Sequence, residues 1–356
     1  MTAHRSLIRT LLTVIGIVIS NSVFGASASN CEATFPERVK WIVPNTPGSL
    51  YDIYSRMLEP YLEAALGTRI VIDNISGAGG RIGAASIANA KSSNDVFGIV
   101  NGVSLLANEL VGEAESLPTL GSFRVLYRMS RVKHIWVTAS DSALQTMPNI
   151  WEMSKDRPIV VATRDVSSSS FYSLTLGAHL LGLPIEVVAG YASNREARLA
   201  LLRGEADIAS TNFESVVNML ESGELTAVLQ ISSSPIAQHP SLTDVPVIAG
   251  ANGLVAMNTS TTNDYSQSAA LLLTRFLGAG QLVVGPRNLN ESVASCVEQA
   301  LHNIVSNSSF REDLRNIGLS IDPAPGSAIR RELEQVLEES DVLSYAISEQ
   351  LEQLRR

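Results

Sequence analysis

Along most of this chain, short runs of β-branched and aromatic residues alternate with longer stretches whose apolar residues recur every three or four positions. Residues 39–43 read as a strand. Residues 52–66 read as a helix with Ile53, Met57, Leu58, Tyr61, Leu62 and Ala65 on one face and Gly67 at its end. Residues 70–72 predict the next strand, 82–90 a second helix and 98–100 a third strand. This βαβαβ order predicts a parallel sheet with right-handed crossovers, in which ligands bind beyond the strands' carboxyl ends.

A second set begins after Ile135-Trp136-Val137, with strands predicted at 158–162, 185–189, 206–209 and 225–231. Helices are predicted at 171–181, 194–203 and 216–221, so the two sets resemble each other in plan. Residues 232–243, rich in serine and proline, read as a connector. Two helices close the chain, at 291–306 and 328–354, the last densely charged and expected on the surface.

Two strand-to-helix junctions stand out. Residues 71–83, VIDNISGAGGRIG, run from an apolar strand through a glycine-rich elbow into a helix of small residues. Upstream, Trp41-Ile42-Val43-Pro44 runs into Asn45-Thr46-Pro47-Gly48-Ser49-Leu50-Tyr51-Asp52. Glycines at such a junction let the backbone approach a ligand, and the first N–H groups of the new helix point at it, which favours an anion.

The first residues carry His4, Arg5 and Arg9, an uncharged apolar run from Leu11 to Phe24, and Ala26-Ser27-Ala28, which fits a small-x-small cleavage rule. Residues 1–28 are therefore expected to be an export signal. The formal net charge is −9, and loss of Arg5 and Arg9 makes the remainder more acidic still. That balance argues against nucleic acid or an anionic membrane as partner, though not against a small anion held by local N–H dipoles. Cys31 and Cys296 can pair in an oxidising compartment; two free thiols, or lipid on Cys31, are the alternatives.

Catalytic machinery is hard to find. A dinucleotide fingerprint beginning at Gly77 and Gly79 needs a third glycine where Ile82 stands. The serine run at 167–170 lacks the G-x-S-x-G elbow of a hydrolase. The five histidines are scattered without ligand spacing for a metal, and His179 reads as a partly buried structural residue. No enzyme activity, metal or cofactor is expected.

The segment WIVPNTPGSLYDIYSR (41–56) resembles the first loop of the tripartite tricarboxylate transporter substrate-binding proteins, also called the Bug or TctC family. Pro44, Pro47, Gly48, Asp52 and Arg56 carry that match. The second elbow is similar to the family's E-N-x-x-G-A-G-G-x-I-G segment, through Asn74, Gly77, Ala78, Gly79, Gly80, Ile82 and Gly83. Val188-Ala189-Gly190-Tyr191, Leu201 to Asp207 and His239 to Pro246 resemble three later family stretches.

The resemblance implies an α/β type II periplasmic-binding-protein fold: two α/β lobes joined by crossover hinge strands and closing on a ligand. The lobes are expected at 36–133 plus 229–356 and at 134–228. The ligand would be a small organic carboxylate, and the partner the permease subunits of a tripartite tricarboxylate-type transporter. The alternative is a carboxylate-sensing subunit that docks on a membrane sensor kinase. A monomeric periplasmic protein is expected.

By the same resemblance, the amides of Gly48, Ser49, Leu50, Tyr51 and Asp52 would face one carboxylate, with Asp52 alternatively a helix cap. Ser76, Gly77, Ala78, Gly79 and Gly80 would supply the second set of amides. Ser167, Ser168, Ser169 and Ser170 would face the cleft from the other lobe, or form a plain polar loop. Thr163, Arg164, Tyr191 and Asn212 follow strand ends and complete the candidates, with core packing the alternative for Tyr191. Asn45, Ser49 and the bulky Leu50-Tyr51 depart from the family pattern, so the identity of the ligand cannot be copied from a relative.

Overall fold

The computed structural model describes residues 33–91, 94–110, 117–237, 239–257, 264–339, 341 and 343. The signal expected at 1–28, and Cys31 of the expected pairing, lie outside these residues. The chain starts with β1 (Arg38–Val43), α1 (Leu50–Leu66), β2 (Arg69–Asn74), α2 (Arg81–Ala88) and β3 (Val96–Asn101). Then come α3 (Gly102–Leu110) and β4 (Phe123–Ser130). Next are β5 (His134–Ala139), α4 (Met147–Met153), β6 (Ile159–Thr163), α5 (Ser169–Leu180) and β7 (Ile185–Ala189). They lead to α6 (Asn194–Leu202), β8 (Ile208–Asn212), α7 (Val217–Glu221) and β9 (Leu225–Gln230). The last part holds α8 (Leu254–Met257), α9 (Asp264–Leu277), β10 (Gln281–Pro286), α10 (Glu291–Ser306), α11 (Ser308–Asn316), β11 (Ala324–Pro325) and α12 (Gly326–Glu338).

Two sheets result, ordered β11-β4-β10-β3-β1-β2 and β7-β6-β8-β5-β9. The expected parallel βαβαβ core is present, since β1 pairs in parallel with β2 and β3, and β6 with β7 and β8. Neither sheet is wholly parallel, however. β10 lies antiparallel between β3 and β4, and β5 lies antiparallel between β8 and β9. Each inserted strand opens the path after the chain crosses from one sheet to the other, so a single plan is used twice.

Apolar burial holds each layer. Trp41 on β1 and Trp136 on β5 are fully buried, and each indole N–H donates to a helix serine: Ser55 Oγ at 2.9 Å and Ser173 Oγ at 3.1 Å. The last helix is not purely a surface element, because Ile329, Leu333 and Val336 of α12 are buried, and α12 packs on β4. Cys296 is buried on α10. His179, in the last turn of α5, is exposed rather than partly buried, because it falls on the solvent side of the helix while Ala178 and Leu181 face the core.

Candidate functional site

The first elbow turns the chain from β1 into α1. Ser49 caps the helix, its Oγ accepting from the Asp52 N–H at 3.3 Å. Asp52 is only 2 % exposed. Its carboxylate accepts from Gly48 N–H at 2.8 Å, Arg56 Nε at 3.0 Å and Asn74 Nδ2 at 3.0 Å. The same Asn74 amide donates to the Asn45 carbonyl at 3.0 Å, so Asp52 and Asn74 brace the two elbows together. Burial acts to raise the Asp52 pKa, but these hydrogen bonds outweigh it and hold the carboxyl below its ordinary range. The Gly48 amide, expected to face a ligand, is thus spent on Asp52, and the Ser49 amide on the Thr46 carbonyl at 3.1 Å. The N–H groups of Leu50 and Tyr51 are left as the donors of this elbow.

The second elbow winds through four successive positive φ angles: Gly77 (127°), Ala78 (46°), Gly79 (68°) and Gly80 (94°). Gly80 N–H closes a turn onto the Gly77 carbonyl at 2.9 Å, which leaves the amides of Gly77, Ala78 and Gly79 outward. Space is the second demand here. A Cβ on Gly79 would stand 2.1 Å from Ser167 Oγ and 3.0 Å from Asp165 Oδ1. The elbow therefore abuts the loop that follows β6 of the other sheet.

That loop starts α5. Ser168 caps the helix, accepting from Phe171 N–H at 3.2 Å and donating to the Asp165 carbonyl at 2.7 Å. Ser167 directs its N–H and hydroxyl to Asp165 Oδ1 at 2.9 and 2.6 Å. Thr163 Oγ1 lies 3.1 Å from the hydroxyls of both Ser168 and Ser170. Much of the serine run is therefore occupied with shaping its own turn, and the amides of Ser169 and Ser170 remain as donors. A fourth helix start, α6, is capped by Ser193 Oγ on the Glu196 N–H at 3.2 Å.

All four helix starts border one cavity of about 740 Å3. From the first elbow Gly48, Ser49, Leu50 and Tyr51 line it, and from the second Ser76, Gly77, Gly79 and Gly80. The other sheet contributes Arg164, Ser168, Ser169, Ser170, Tyr191 and Asn212. Asp52, Ala78, Thr163 and Ser167 do not line it. Arg164 Nη1 reaches Asn45 Oδ1 across the opening at 3.5 Å, and Ser104 Oγ donates to the Ser167 carbonyl at 2.8 Å. Burial raises the Tyr51 phenol's pKa well above its ordinary value, against the pull of the nearby Arg164 guanidinium.

The cavity is cationic within an acidic chain. Among the described residues, Arg81, Arg164, Arg195 and Arg198 line it, against the single acid Asp165. Asp165 is already paired with Arg164 Nε. Arg198 is 9 % exposed, and its Nη1 donates to Thr211 Oγ1 at 3.1 Å. Burial, and then the neighbouring Arg195 charge, push its pKa down to about 10, so it stays protonated at neutral pH. No cluster of three or more His, Cys, Asp or Glu side chains that could hold a metal occurs among the described residues.

No family model matches the chain. Protein BugT of Bordetella pertussis is 29 % identical over 250 residues, which cover 67 % of this chain and 73 % of BugT. The solved periplasmic binding protein BugD superposes with a TM-score of 0.67 at 19 % identity, over 88 % of this chain and 98 % of BugD. The chain is similar to proteins of the Bug/TctC family. A second solved structure, Rpa4515 of R. palustris with adipate, gives a TM-score of 0.68 at 19 % identity, over 87 % of this chain and 97 % of that one. The two sheets described above thus share the fold of these periplasmic binding proteins.

The Bug/TctC resemblance pointed to both elbows, yet several lining residues carry no such signal. His134, Gln281, Asn101 and Asn108 reach the cavity because strands distant in sequence become neighbours. Arg198 had a local clue. It sits among Ala197, Ala200 and Leu201 on the buried face of α6, where a charge needs a reason. Arg195, in the first turn of α6, lines the cavity as well.

Proposed function

We propose that this chain is an exported solute-binding protein that captures a small organic carboxylate in the cleft between its two sheets and delivers it to a tripartite tricarboxylate-type permease. The observation that carries this reading is the convergence of four helix starts and four arginines on one cavity, in a chain of net charge −9. Unpaired N–H groups at Leu50, Tyr51, Gly77, Gly79, Ser169 and Ser170 supply preformed donors without mobile side chains, and the helix dipoles add to them. The adipate held by Rpa4515 supports a carboxylate as the ligand class, and the similarity to the Bug/TctC proteins supports a periplasmic location and the permease partner.

The lobes would be residues 36–133 with 229–356, and residues 134–228, closing by bending where the chain crosses between sheets. No helix among the described residues is long and apolar enough to cross a membrane. Capture needs no covalent chemistry: solute enters, the amides and arginines replace its water shell, and closure excludes solvent. A thermal-shift screen of purified protein against mono-, di- and tricarboxylates tests the reading. At least one should raise the midpoint in a concentration-dependent way. If none does, the carboxylate assignment fails.

A further inference from the structure

Four residues lining the cavity each keep a buried polar atom with no partner among the described residues: His134 Nε2, Arg198 Nε, Asn212 Oδ1 and Gln281 Oε1. They lie where the crossings meet. His134 opens β5 and stands directly opposite Asn212 at the end of β8, while Gln281 opens β10 opposite Asn101. Arg198 joins them through Thr211, the residue before Asn212. Buried polar groups in folded proteins almost always find partners, so four orphans around one cavity mark the place where a ligand supplies them.

Their chemistry narrows what that ligand is. Ser210 Oγ lies 3.2 Å from His134 Nδ1 and donates its own hydrogen to Ser173 Oγ at 2.8 Å. It must therefore accept from His134, which fixes the proton on Nδ1 and leaves Nε2 as a bare lone pair. Asn212 Oδ1 and Gln281 Oε1 are acceptors as well. With the amides turned this way a carboxylate cannot satisfy the three atoms, because it has no hydrogen to give, and His134 Nε2 accepts whichever way they turn. They require O–H or N–H donors on the solute, whereas Arg198 requires an anion. An ammonium group is a poor source of those donors here, beside four arginines and one acid already paired. Hydroxyl groups remain.

We propose that the solute is a hydroxylated diacid of the sugar-acid type. One carboxylate rests on the amides of the elbows, the hydroxyls donate to His134, Asn212 and Gln281, and the far carboxylate accepts from Arg198. This rests on the carboxylate reading of the cleft and adds to it the substrate class and the residues that select it. A site built to bond hydroxyls rejects the analogue that lacks them, because its own polar atoms are then left unpaired.

Isothermal titration of the purified protein with diacids matched in length tests this: tartrate against succinate, and glucarate and galactarate against adipate. The best hydroxylated diacid should bind at least tenfold more tightly than its plain counterpart. His134→Phe should remove most of that preference. Gln281→Leu provides the same test should the His134 variant fail to fold. Arg198→Met should weaken glucarate more than the monoacid gluconate. Plain diacids that bind as tightly as hydroxylated ones would overturn the inference and leave the carboxylate reading standing. A preference that survives both His134→Phe and Gln281→Leu would also overturn it. Failure of every carboxylate to bind would instead sink the underlying reading.

Discussion

Gly79 is where backbone conformation and cavity shape make the same demand. Its φ of 68° costs an L-residue about 1–2 kcal/mol, and a side chain there would drive into Ser167 and Asp165. Gly79→Val should therefore weaken carboxylate binding at least tenfold while far-ultraviolet circular dichroism stays unchanged. Undiminished affinity by titration calorimetry would place the binding site elsewhere. His134 makes a different demand, on pH. Burial pushes its pKa down to about 4 from an unfolded value near 6.5. Its contribution to stability is full above pH 6.5 and is lost as the pH falls towards 4, because the unfolded chain then binds a proton that the folded one refuses. Between pH 7.5 and 4.5 the parent should lose about 2–3 kcal/mol more than His134→Gln in urea unfolding. Equal losses would mean that His134 is not held neutral by burial.

Among the elements, α5 shows how little of a serine-rich start is free for a ligand. Ser168 caps the helix and bonds the turn before it, whereas Ser169 makes no side-chain hydrogen bond among the described residues. Ser168→Ala should cost about 1–2 kcal/mol in chemical denaturation and Ser169→Ala close to nothing. Similar costs for the two would refute the cap assignment. The same element shows what could be read in advance. The serine run at a strand-to-helix junction is a local pattern, as are the glycines of the second elbow, and both elbows were legible from their residues alone. So were β1–β3 and β6–β9, whose β-branched runs lie between clear helical periods. The insertions of β5 and β10 between parallel neighbours were not legible, because pairing of Gln281 with Asn101 across so long a stretch of chain leaves no local trace. α3 escaped because Gly102 begins a helix directly after β3, without the polar turn that marks such starts elsewhere. The roles of His134 and Gln281 were hidden for the same reason as their strands.

At the scale of the whole molecule, two electrostatic fields oppose each other: an acidic chain and a cationic cleft. The formal charge of −9 repels an approaching dianion at long range, while Arg81, Arg164, Arg195 and Arg198 attract it near the opening. If the local field dominates, capture slows as salt rises. Stopped-flow association of a diacid should fall severalfold between 20 and 300 mM NaCl (about 20 Å to 6 Å of screening length), with a shallower slope for Arg195→Gln. Faster capture in salt would show that the net charge governs the encounter. The crossings themselves are tied. Lys133 Nζ holds Glu214 at 3.2 Å and Ser320 Oγ at 2.9 Å, and Tyr54 donates to the Ser320 carbonyl at 2.6 Å. The bending proposed at the crossings would therefore start from a fixed axis.

The brace of Asp52 and Asn74 has a temporal meaning. Because Asp52 already grips Gly48, Arg56 and Asn74, the two elbows form one stiff jaw before any solute arrives. Loops that must order on encounter slow association and lose affinity to entropy. Here that ordering is completed once, when the chain folds. Arrival can then run at the pace of diffusion, and under the proposed closure the lifetime of the complex would be left to the opposite jaw.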